Sequence, residues 1–147
     1  MTVSILNSYN SGDALSYLAG LQHIYNTTGQ KIVFYQRINF PAFYYEGAEH
    51  PVKNNESQQV SMNEKQWSML KPLLESQEYI ERAEIWEGQE VQFNFDRTRD
   101  SRIVPIPYTP LQFWYFFVMP ELQCDLSIKS LWLHQPIHTV INYQDKI

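Results

Sequence analysis

The chain has 147 residues, enough for one domain with a real core, and its 44% hydrophobic and 18% charged content excludes a disordered polymer. Eleven Lys and Arg against sixteen Asp and Glu give a net charge of −5, too few clustered cations for a protein that binds nucleic acid through its backbone. No basic segment leads into an apolar one, and no apolar run nears the roughly 20 residues a bilayer span requires. The lone cysteine, Cys124, has no internal disulfide partner, so the expectation is a soluble protein of the reducing cytoplasm.

Residues 2–7 read as a strand, and 13–28 as an amphipathic helix. Ala14, Tyr17, Leu18, Leu21, Ile24 and Tyr25 recur at i, i+3, i+4 and i+7, and Gly29 stands where helices commonly stop. "KIVFYQR", 31–37, reads as a buried strand. Strand, helix and strand within so short a stretch predict a βαβ unit with a right-handed crossover. Pro, Gly, Asn and mixed charge from Ile38 to Val60 predict a long loop. Helical period returns over 61–77, where Ser61 with Glu64 forms a capping box and Trp67, Leu70, Leu73 and Leu74 make the apolar stripe. Pro72 is expected to kink or restart that helix. "YIERAEIWEG" and "VQFNFD" read as two short strands. "PLQFWYFFVMPEL", 110–122, is strongly apolar, and its "FWYFFVM" core suits burial or contact with another domain better than a membrane. The expected fold is therefore α/β: a Rossmann-like three-layer domain, 1–140, with a mainly parallel sheet.

Chemistry is expected at the first strand-to-helix turn. In open α/β sheets, ligands collect outside the carboxyl ends of the strands. If Asn10 or Ser11 caps the helix, Asp13 falls in its first turn, where the dipole favours its charge by about 0.3–1 kcal/mol. Gly12 lets a ligand approach the backbone closely. That acid is then either a structural cap residue or a reactive group, and the residues alone leave both open. A single Gly is no dinucleotide fingerprint, and no cofactor is expected. His134 and His138, with Cys124 upstream, have a metal-like spacing, but Pro136 opposes the helix that would align them and no fourth ligand is evident. No metal is expected. "EGAEH", 46–50, reads as a solvated loop.

"NSGDALSYLAGLQHIYNTTGQKIVFYQ", 10–36, resembles the opening of GT-B glycosyltransferases, in particular the heptosyltransferase-like family of bacteria and their phages. "MLKPLLESQEYIERAEIW" (69–86), "FNFDRTR" (93–99) and "INYQDKI" (141–147) are similar to stretches of the same family. The resemblance covers nearly the whole chain, but only the acceptor-side half of such an enzyme. It implies that Asp13 is the general base on an acceptor hydroxyl and that Asn10, Ser11 and Gly12 line the acceptor site. Arg37, Asp96 and Arg99 are further candidates there, each with a plainer alternative as a surface or structural ion pair. It also implies that 141–147 begin a second domain, and that the donor site comes from a C-terminal domain or partner chain. The rival expectation is a non-catalytic α/β interaction module in which Asp13 is only a cap.

Overall fold

The computed structural model describes residues 1–42, 47–99 and Leu133. The apolar segment 110–122, Cys124, His134, His138 and the stretch 141–147 lie outside the described residues, as does Glu46 of the "EGAEH" loop.

Among the described residues, four strands form one all-parallel sheet: β1 (Thr2–Asn7), β2 (Lys31–Gln36), β3 (Ile80–Ile85) and β4 (Phe93–Asn94), in the order β3-β2-β1-β4. Helix α1 (Ser11–Thr28) links β1 to β2, and α2 (Glu64–Glu75) lies between β2 and β3. A 3₁₀ turn, η1 (Phe95–Arg99), follows β4 directly. The domain is α/β and Rossmann-like. Its two central strands are the ones whose sequences read as apolar runs, because a strand with neighbours on both sides and a covered face has little solvent to meet.

Alternation sorts the strand side chains onto two faces. Val3, Ile5, Ile32 and Phe34 join Ala14, Tyr17, Leu18, Leu21 and Ile24 of α1 and Trp67, Leu70 and Leu74 of α2 in the main core, so both helices pack on the same face. Leu6, Val33 and Tyr35 form a smaller cluster on the other face with Trp86 and Val91. Against β2, β3 has a register shift between the Ile80 and Arg82 pairings, which leaves Glu81 as an extra residue. That bulge returns Ala83 to the helix side, where Ile80 already lies.

Two helix starts differ from the expectation. α1 begins at Ser11, two residues early, because Asn10 caps it: the Asn10 side chain accepts from the Asp13 N–H at 3.0 Å. α2 is capped by Asn63, whose side chain accepts from Gln66 N–H at 3.0 Å, and not by Ser61, which is buried and donates its own N–H to Phe40 O. Pro72 sits inside α2, so the helix does not restart there. It falls in the last turns, where the helix has only Leu73, Leu74 and Glu75 left to form before Ser76 caps it. The expected loop 38–60 carries two isolated antiparallel bridges, Pro41 with Val60 and Lys53 with Gln59.

Candidate functional site at the strand switch point

The chain adds β2 and β3 on one side of β1, then returns to place β4 on the other. The order therefore reverses between β1 and β4, the place in open α/β sheets where ligands collect beyond the carboxyl ends of the strands. Along that edge the backbone following the strands presents Asp96, Ser8, Arg37 and Trp86. Ser8 N–H donates to Asp96, Arg37 N–H to Asn7 O, and Trp86 N–H to Gln36 O.

Asp13 occupies the third helical position of α1 and is 1% exposed. Arg99, at the end of η1, pairs through Nη2 with its Oδ1. Oδ2 is buried and, among the described residues, has no hydrogen-bond partner. A buried carboxylate oxygen in that state is unusual, because its desolvation goes uncompensated. Burial pushes the Asp13 carboxyl above the ordinary Asp value of 3.8. The Arg99 charge and hydrogen bond, then the Asp13 N–H bond to the cap, pull it partly back.

Asp96 is raised for the same first reason, burial, and lowered by Ser8 and by the Arg37 charge, while Asp13 raises it again. Its Oδ1 accepts from Ser8 N–H at 2.7 Å and its Oδ2 from Ser8 Oγ at 2.5 Å. Two carboxylates with raised pKa thus lie at the carboxyl end of the sheet, a pattern that clusters at functional sites.

The surrounding frame is tightly specified. Phe95 stacks on Tyr17 at 4.8 Å between ring centroids, and Tyr17 Oη lies 2.6 Å from Thr98 Oγ1, so η1 is docked on α1 one turn beyond Asp13. Asn7 and Gln36, the last residues of the two central strands, are fully buried and bonded to each other at 2.8 Å. Both donate to Tyr9 O, and Asn7 accepts from Tyr9 N–H. The Tyr9 ring lies under the Arg99 guanidinium at 5.7 Å and meets Phe40 edge-on at 6.0 Å. Arg37 lies over Phe40 at 4.8 Å and over Trp86 at 5.4 Å.

Of the residues singled out from the sequence, the structure joins Asn10, Asp13 and Arg99 directly and sets Asp96 beside Ser8. Ser11 and Gly12 open α1, and a Cβ at Gly12 would meet the capping oxygen of Asn10 at 3.2 Å. Arg37 is not in the Asp13 pair but stacks on the neighbouring aromatic group. Sequence reasoning missed Asn7, Ser8, Tyr9, Gln36, Tyr17 and Thr98 as parts of the site. Asn7 and Gln36 did leave a signal, since each is a polar residue ending a run otherwise apolar enough for a central strand. Tyr17 was legible only as core, because nothing in the sequence says where its hydroxyl points.

A separate concavity of about 180 Å³ beside the start of α2 is lined by Asn39, Asn54, Asn63 and Glu64. Asn54 and Asn63 use their amides on the loop and the helix cap. Among the described residues no three His, Cys, Asp or Glu side chains gather as a metal site, and no helix is long and apolar enough to cross a membrane. Comparison with protein families, curated proteins and solved structures finds no match to this chain.

Proposed function

We propose that this chain is the acceptor-side domain of a GT-B glycosyltransferase of the heptosyltransferase-like kind. In this reading it transfers a sugar from a nucleotide-sugar donor to a hydroxyl once a donor-binding domain or partner chain completes the cleft. One observation carries the reading: Asp13, in the first turn after β1, keeps a buried carboxylate oxygen with no hydrogen-bond partner among the described residues. A hydroxyl is the group such an oxygen lacks. Oδ2 takes the acceptor's proton as the acceptor oxygen attacks the anomeric carbon. The bond from that carbon to the nucleotide diphosphate breaks, and its electron pair leaves with the phosphate. A carboxyl raised by burial is a stronger base than an exposed one, closer to the pH at which it must work. Ser8 and Asp96 line the same edge, and Arg37 with Phe40 and Trp86 supplies a cationic aromatic rim for the rest of the acceptor glycan. The lone cysteine fits the cytoplasm as the place of this reaction.

The non-catalytic interaction module also has one specific observation in its favour. Asp13 is nearly inaccessible, and its ion pair ties η1 to α1 whether or not chemistry follows. Melting curves of the purified chain separate the two. They are recorded with nucleotide sugars, with simple acceptor glycans and with a separately produced donor-binding domain. At tenfold excess over Kd, a bound ligand adds about 1.4 kcal/mol, and each kcal/mol raises Tm by about 2–4 °C in a chain of this size. The glycosyltransferase reading predicts stabilisation by acceptor glycans that Asp13→Asn abolishes. A fold indifferent to all three additions contradicts it.

A further inference from the structure

Arg99 is the residue whose placement the proposed reaction does not by itself explain. It is 39% exposed at the side chain, yet its guanidinium is fixed from several directions. Its ring partner Tyr9 is held at both backbone groups by the buried Asn7–Gln36 pair. Its backbone follows Thr98, which bonds Tyr17 Oη and donates to Phe95 O at 2.7 Å. Phe95 in turn stacks on Tyr17. Two independent supports, one from β1 and β2 and one from α1, therefore converge on one guanidinium, and that guanidinium pairs with Oδ1 of Asp13. Buried polar networks of this kind are costly unless fully satisfied, and what this one specifies is the position of Arg99.

We propose that Arg99 is a positioning residue for Asp13: by taking Oδ1 it fixes the carboxylate and leaves Oδ2, buried and unpartnered among the described residues, as the oxygen left to bond a hydroxyl on a ligand. The identity of that ligand rests on the glycosyltransferase reading, but the positioning does not. Among the described residues, the other charged or titratable groups that act on this corner are Asp96 after β4, whose charge opposes that of Asp13, Arg37, which lowers Asp96, and Tyr17 on α1, whose hydroxyl is itself bonded to Thr98. Among the described residues, Arg99 is the cation in contact with Asp13.

The test is a titration of the Asp13 carboxyl carbon by NMR, with no sugar present, in the wild-type chain, Arg99→Gln and Arg99→Lys. Loss of an adjacent opposite charge moves a carboxyl by about 1–3 pH units. Arg99→Gln is expected to raise the Asp13 midpoint by at least one unit, and Arg99→Lys to restore most of it, since charge remains while the fork is lost. An Asp13 midpoint that is the same in folded Arg99→Gln as in wild type overturns the proposal. Should Arg99→Gln fail to fold, Arg99→Lys decides through acceptor-glycan titration at pH 7. Weakening of at least tenfold with Asp13 still ionised supports positioning, and unchanged affinity overturns it. Failure of glycosyl transfer with the titration result intact would remove only the proposed reaction.

Discussion

Asp13 sits in the first turn of a helix at 1% exposure, and opposing forces act on its charge. Burial disfavours the ionised form, while the Arg99 guanidinium and the N-terminal end of α1 favour it. Burial wins, so the folded chain holds its protons more tightly than the unfolded chain at both Asp13 and Asp96. Stability from these groups is therefore fully present below their unfolded value, near 3.8, and is lost as pH rises through their higher folded values. Urea unfolding from pH 4 to pH 7 is expected to show this decline, with a shallower one in Asp13→Asn; a stability that rises with the same slope in both chains would contradict the assignment. In an enzyme completed by its donor domain, Asp13→Asn is expected to lower kcat by about 10²–10⁴, the usual contribution of a general base. Tyr17→Phe keeps the ring on Phe95 and removes only the hydroxyl bonded to Thr98. Its expected cost is about 0.5–1.5 kcal/mol in equilibrium unfolding, because Thr98 still donates to Phe95 O.

The elements themselves were readable where one periodicity dominated. β1, α1 and β2 follow from apolar runs, from i, i+3, i+4 spacing and from Gly29, whose φ of 68° takes the left-handed conformation that closes α1 on Tyr25 O. Gly29→Ala is accordingly expected to cost about 1 kcal/mol in thermal unfolding, although nothing crowds a Cβ there. Boundaries set by side-chain competition were less legible. Ser61 and Asn63 are both good cap residues, and the choice falls to Asn63 because the chain turns Ser61 inward to pair with Phe40. Asn63→Ala should therefore destabilise by about 1 kcal/mol and fray the start of α2 in amide exchange; equal fraying in Ser61→Ala would point back to the capping box. β4 has only two residues, Phe93 and Asn94, and its pattern could not announce the 3₁₀ turn that carries Asp96 to Ser8 and Arg99 to Asp13.

At the scale of the whole molecule, topology makes the site. Asp13 and Arg99 stand 86 residues apart and meet because β4 returns to pair with β1 at Ile5–Phe93 and Leu6–Asn94. The reversal of strand order was not legible in the sequence, since the strand-helix alternation that predicts a parallel sheet says nothing of which edge the fourth strand joins. The residue types were legible: Asn10, Asp13, Asp96 and Arg99 all lie at the carboxyl end of the sheet, although the sequence could not show that Arg99 would meet Asp13 itself.

The central claim is that this edge binds a hydroxylated acceptor through Asp13. An amide chemical-shift titration of the labelled chain with simple acceptor mono- and disaccharides tests it most directly. The account predicts saturable shifts confined to residues 8–13 and 95–99 with the rim at Arg37 and Trp86, and their loss in Asp13→Asn at unchanged fold. Shifts that map elsewhere, or that persist undiminished in Asp13→Asn, would contradict it.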